Sequence, residues 1–206
     1  AYIFNKKEKD FVVLIERIRK EAAQRADELN ALRDISDLTS HPISADDLLK
    51  LILEKAMQVI AVRNGSVFLV DASEPDGLRL VAAKPPVVFK DDDGSKPRRY
   101  SFVKSVIESG QALRIQDIES DPRTLKANDP KYGAPSFISM PVYKNKQVVA
   151  VMNLANKENG GIFTEGDERI LSIMLSAIGT GLENISLQRQ VKLQQADIST
   201  LQGMLK

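Results

Sequence analysis

Residues 137–155 contain the feature that most narrows the fold. Two runs of alternating β-formers, 137–143 and 148–155, are joined by Lys144-Asn145-Lys146-Gln147. Alternation sends successive side chains to opposite faces of a strand, and a short polar linker between two such runs predicts an antiparallel hairpin. A lone hairpin is marginal in water, so further strands or helices must cover it. The chain supplies both. Residues 66–71 form a β-rich run that turns at Glu74-Pro75-Asp76-Gly77 and returns over 78–83, and 112–117 has the look of an edge strand.

Helical periodicity surrounds these strands. Ser44 is placed to cap a helix whose first turn holds Asp46 and Asp47, favourable charges at the positive end of the helix dipole. Leu48, Leu49, Ile52, Met57, Val59 and Ile60 make that helix apolar enough to be buried, and Asn64-Gly65 reads as its stop. Phe102, Val103, Val106 and Ile107 predict a short helix ended by Gly110, and the turn-rich stretch 119–135 has room for another. Thr164 caps a last helix with Glu165, Asp167 and Glu168 in its first turn. Its stripe of Leu171, Met174, Leu175, Ile178, Leu182 and Ile185 gives way to a different one, Leu187, Val191, Ile198, Leu201 and Leu205. The first half is therefore expected to pack on a sheet and the second to require a partner beyond it.

At the other end, 6–38 has no Pro or Gly and repeats Phe11, Ile15, Ile18, Ala22, Leu29 and Leu32 in one heptad frame, with Arg25 intruding. Thr39-Ser40-His41-Pro42 then breaks the helix, because the residue before a proline is pushed out of the helical region. The expected organisation is an N-terminal coiled-coil-like helix at 1–43, an α+β domain at 44–185 and a C-terminal helical extension at 186–206. A parallel homodimer would bring both seams together.

Composition removes whole classes of chemistry. With 29 Lys+Arg against 28 Asp+Glu there is no field to steer a polyanion, so nucleic acid is not an expected partner. The absence of cysteine excludes disulfides, thiolate metal sites and thiol nucleophiles, and a single histidine excludes any site needing two imidazoles. No motif sets a nucleophile beside a base, so an enzyme is not expected. The Asp91-Asp92-Asp93-Gly94 run lacks the spaced ligands of a calcium loop, and Lys96-Pro97-Arg98-Arg99-Tyr100 reads as a solvated loop. His41, beside Pro42, reads as solvent-facing. No run of 18 apolar residues suggests a membrane span. The chain opens on Ala1-Tyr2-Ile3-Phe4, without Met or a secretory segment, and is expected to be a cytoplasmic piece of a longer protein. That parent is free to carry a membrane anchor upstream and a fused output domain elsewhere.

The order helix, hairpin, long loop, short helix, strand, loop, hairpin, helix resembles a GAF domain, a small-molecule sensor module of signalling proteins. Three segments carry the likeness. The first is Gly65-Ser66-Val67-Phe68-Leu69-Val70-Asp71. The second is Ser109-Gly110-Gln111-Ala112-Leu113-Arg114-Ile115-Gln116-Asp117, followed by Asp121-Pro122-Arg123. The third is Asn156-Lys157, Phe163 and Asp167-Glu168, which match the NKxnFx3DE signature of GAF domains in cyclic-nucleotide phosphodiesterases and related cyclases.

The resemblance implies a non-catalytic regulatory module that holds a small ligand between its sheet and a cover at 84–135. It implies a lining of Ser66, Phe68, Phe102, Ser105, Ile115, Phe137, Ser139 and Asn153. Alternation pairs Ser66 with Phe68 and Phe137 with Ser139 on a face, without saying which face is inner. Lys157 and Asp167 read as a structural ion pair pinning the last strand to the last helix. The ligand and any cofactor stay open. One alternative is a cyclic-nucleotide receptor. Ser66 fits a base-reading hydroxyl, but Ser101-Phe102-Val103-Lys104 is bulkier than the Gly-Ile-Ala-Gly-like entry of nucleotide-binding relatives, and Asn153 stands where they can place an acid. The other is a ligand-free domain that only dimerises, its pocket filled by Phe102, Phe137 and Met140. Bilin attachment and methionine-sulfoxide reduction, both cysteine-dependent, are excluded.

Overall fold

A computed structural model describes residues 43–86, 101–124 and 133–204, together with Ala26. The N-terminal seam, His41, the acidic run at 91–94 and the basic run at 96–100 lie outside the described residues, as does the cover at 87–100 and 125–132. Five strands form one antiparallel sheet in the order β2-β1-β5-β4-β3. They are β1 (Val62–Val70), β2 (Leu78–Lys84), β3 (Leu113–Ile115), β4 (Phe137–Lys144) and β5 (Gln147–Lys157). Helices α1 (Ala45–Ile60) and α3 (Glu165–Met204) pack on one face, and the short α2 (Ser101–Ser109) on the other. The fold is the mixed helix and antiparallel-sheet arrangement expected of the sequence.

Local chemistry explains most boundaries. The β4–β5 hairpin turns on Asn145 and Lys146, both at positive φ (52° and 63°), the two-residue geometry whose twist matches that of the flanking strands. Ser44 Oγ accepts the Asp47 N–H at 3.1 Å and caps α1, as its position suggested. The stop of α1 differs from expectation. It comes at Ala61, in the left-handed region with φ 55°, and β1 then runs straight through Asn64-Gly65. Gly65 is there for closeness and not for a turn: a Cβ would sit 2.7 Å from Met57 Sδ and 2.9 Å from Leu53 Cδ1.

The main core lies between the sheet and the two long helices. Val67, Ile138, Met140, Val142, Met152 and Leu154 meet Leu48, Leu49, Ile52 and Leu53 of α1 and Leu171, Met174, Leu175, Ile178 and Leu182 of α3. Each side chain so buried contributes roughly 1.5–3 kcal/mol. Arg79 ties the start of α1 to the sheet through a two-armed bond to Asp46 at 2.8 and 2.9 Å and a contact with Asp71 at 3.3 Å. By length and composition Glu165–Leu187 would suffice to cross a bilayer, yet its Leu171, Met174, Leu175, Ile178 and Leu182 are buried in this core. Further along α3, Leu187 and Val191 are about half exposed, at 54% and 50%. Ile198, Leu201 and Leu205 of the expected seam lie outside the described side chains.

Candidate functional site

The two faces of the sheet differ in chemistry. On the α2 side, Ser66, Asn153 and Ser139 stand level on three neighbouring strands, since Ser66 pairs with Asn153 and Asn153 with Ser139. Their side chains form a hydrogen-bonded row. Ser139 Oγ donates to Asn153 Oδ1 at 2.6 Å, and Asn153 Nδ2 donates to Ser66 Oγ at 3.3 Å. Ser139 is fully buried, while Ser66 and Asn153 are half-buried. Apolar rings bracket the row. Phe137 packs against Phe102 with centroids 4.9 Å apart and the rings tilted by 43°, and Phe68 joins Leu78, Val151 and the Val103 and Val106 of α2 in a satellite core. A wholly apolar surface here would have avoided the desolvation of three polar groups, so the row is a costly feature in mid-sheet.

Below the row, the signature residues form a brace. Lys157 Nζ meets the Asp167 carboxylate at 2.8 and 3.0 Å and sits 5.6 Å from the centroid of the Phe163 ring. Asp167 in turn accepts from the Thr164 N–H and hydroxyl at 2.7 and 2.9 Å, while Thr164 Oγ1 accepts the Asp167 N–H at 3.2 Å. This reciprocal cap fixes the first turn of α3. Glu168 accepts from Arg114 Nε at 2.9 Å and so joins α3 to β3. Asn156, the last residue of β5 but one, is at φ 60°, and its side chain lies so close to Gly133 that a Cβ there would collide with Nδ2.

The structure therefore brings Ser66, Phe68, Phe102, Phe137, Ser139 and Asn153 together on the α2 side, with Ile115 fully buried next to Phe137 on β3. Ser105 is exposed on α2 and stands apart from the row, its carbonyl accepting from Ser109 Oγ at 2.7 Å. Met140 does not fill this side. It belongs to the α1–α3 core, because one step from Ser139 along β4 reverses the face. Ser136 lies outside the residues to which the sequence points. It is 3% exposed, donates to the Ile115 carbonyl at 2.9 Å and accepts the Phe163 N–H at 3.2 Å, linking the approach to β4 with that to α3.

Two open hollows lie by β3, away from the row. One, about 580 Å³, runs between Tyr143, Ser176 and Gly179; the other, about 540 Å³, is polar, with Arg114 held by Glu168 and Arg123 by Asp121. Asp121 is pushed down to about 2 by the hydrogen bonds from the Arg123 side chain and backbone. Among the described residues, no cluster of His, Asp or Glu is arranged to hold a metal ion.

Comparison with known proteins gives a consistent picture. The family model of the GAF domain matches residues 42–183. The chain is 25% identical over 194 residues to the dual 3',5'-cyclic-AMP and -GMP phosphodiesterase 11 of Drosophila melanogaster, a match over 87% of this chain but only 13% of that protein. Among solved structures, residues 122 to 287 of a methyl-accepting chemotaxis protein superpose with a TM-score of 0.58 at 17% identity, covering 75% of this chain and 98% of that one. The GAF domain of an Acinetobacter phosphoenolpyruvate-protein phosphotransferase gives 0.57 at 18% identity, covering 77% and 94%. These likenesses are of fold.

Proposed function

Because the chain belongs to the GAF domain family over residues 42–183, we propose that it is a non-catalytic sensor that holds a small ligand on the α2 side of its sheet. The observation that carries this reading is the Ser66–Asn153–Ser139 row, a set of polar groups retained among Phe68, Phe102 and Phe137. Occupancy would shift the packing beside β5, whose end is tied by Lys157 to the first turn of α3. The tail of α3, with Leu187 and Val191 uncovered, would pass the change to a second copy and onward to a fused output domain. For this the ligand must favour one of two arrangements of the tail. Native mass spectrometry of the protein as purified tests the binding step. A small-molecule adduct on the wild type, lost in Ser66→Phe with the fold retained, is expected. Bare polypeptide mass, or an adduct that survives in Ser66→Phe, would contradict it.

A second reading, a cyclic-nucleotide receptor, is favoured by the match to a phosphodiesterase named for both cyclic AMP and cyclic GMP. Calorimetry with each nucleotide decides it: saturable heat supports this reading, and no heat with either disposes of it.

A further inference from the structure

The chain carries the dipeptide Asn-Gly twice, at Asn64-Gly65 and Asn159-Gly160, and the fold treats the two oppositely. A glycine after asparagine has no Cβ to keep its main-chain nitrogen from the side-chain amide carbon. Asn64-Gly65 lies inside β1, where Gly65 pairs with Lys84 of β2 on one side and Leu154 of β5 on the other. An extended backbone held from both sides cannot fold its nitrogen back onto the preceding side chain.

Asn159-Gly160 lies in the turn between β5 and α3, and both residues are exposed. Gly160 is at φ 68°, with nothing within 4 Å of the place a Cβ would take. The Asn159 side chain is already oriented, since its Oδ1 accepts the Gly161 N–H at 2.9 Å. That oxygen is where negative charge collects when Cγ is attacked, and a main-chain donor fixed at hydrogen-bond length stabilises such a charge. One bond opposes the attack, from the Gly160 N–H to the Lys157 carbonyl at 2.9 Å. It is a single bond in an exposed turn, and such bonds open at little cost.

We propose that Asn159 is a site of spontaneous modification, converting to aspartate and isoaspartate in the folded protein while Asn64 is protected. The Gly160 nitrogen gives its proton to solvent and bonds to Asn159 Cγ. The Cγ–Nδ2 bond breaks, and the amide group takes up a proton and leaves as ammonia. Water then opens the cyclic imide. Opening at Cγ gives aspartate, and opening at the main-chain carbonyl gives isoaspartate, whose main chain is longer by a methylene. Either product puts a carboxylate in place of a neutral amide, in the segment that joins Lys157 to the Thr164 cap of α3.

Peptide mapping by mass spectrometry of the full chain, aged in mildly alkaline buffer with and without urea, tests this. Trypsin separates the two sites, because Arg63 precedes Asn64 and Lys157 lies before Asn159. Asn159 should convert in the folded chain at a rate within about threefold of that in urea, as expected where opening costs little. Folding should slow Asn64 at least about tenfold. Gly160→Ala, whose methyl has open space yet crowds the attacking nitrogen, should slow the conversion of Asn159 at least about tenfold with the fold retained. Protection of Asn159 equal to that of Asn64 overturns the proposal, as does a Gly160→Ala chain that converts as fast as the wild type.

Discussion

Lys157 closes the end of β5 onto the Asp167 carboxylate of α3 at 2.8 and 3.0 Å, with both side chains nearly buried at 12% and 14% exposure. Removing the lysine leaves Asp167 inside the fold with only its capping bonds. Lys157→Ala should therefore cost roughly 2–4 kcal/mol in urea unfolding, somewhat below the loss expected for a fully buried pair. Glu165→Ala, whose side chain is 84% exposed in its contact with Arg114, should stay within about 0.5 kcal/mol. Equal effects of the two substitutions would contradict the brace.

Gly179 makes a different demand. A Cβ there would come within 2.0 Å of the Tyr143 carbonyl oxygen, a backbone atom that cannot swing aside. Gly179→Ala should destabilise by roughly 3 kcal/mol or more, because α3 must lift from β4. Gly77→Ala, with φ 71° but nothing within 4 Å, should cost only the left-handed strain of about 1–2 kcal/mol. Thermal melts of the two variants give the comparison, and a milder effect at Gly179 would refute the close contact.

The Asp121–Arg123 pair predicts a pH response. Hydrogen bonds from Arg123 bring the Asp121 carboxyl down from the ordinary 3.8 to about 2. A carboxyl lowered on folding contributes stability that is present above its unfolded value and is lost as pH falls through the folded one. The bracket, in which Arg123 also donates to the Arg114 carbonyl at 2.9 Å, should hold to about pH 3. An NMR titration of the Asp121 carboxyl should give a midpoint near 2 in the wild type and a return toward 3.8 in Arg123→Ala. An ordinary midpoint in the wild type would show the pair to be absent in solution.

Leu187 and Val191 predict self-association. Replacing both with Lys should abolish dimers in sedimentation while leaving the melting temperature of the domain nearly unchanged, since neither is part of the main core. A wild type that stays monomeric at high concentration removes the proposed relay to a second copy.

What was legible in the sequence was what local chemistry decides. The Asn145-Lys146 turn, the Ser44 and Thr164 caps and the first stripe of α3 depend on neighbours a few residues away, and each appears where the pattern put it. Asn64-Gly65 reads as a helix stop because a glycine required by the approach of α1 looks, in sequence, like one required by a turn. Met140, a pocket filler only in the ligand-free alternative, lies one step from Ser139 and so on the opposite face, in the α1–α3 core. Partners far apart along the chain left no pattern to follow. The Asn153 bond to Ser66 and the Arg114 bond to Glu168 depend on the central pairing of β1 with β5 and on the docking of α3 beside β3. The lone available signal for Ser136 was its position just before a strand, which is too common to single it out.

The most direct measurement of the central claim is the side-chain amide resonance of Asn153 in the 15N-labelled protein, followed as small molecules extracted from the purified protein are added back. A shift of that resonance, carried on to the amides of Lys157 and the first turn of α3 and absent in Ser66→Phe, is the predicted result. Shifts confined to the α1–α3 face, or none anywhere with the fold intact, would contradict the sensor account.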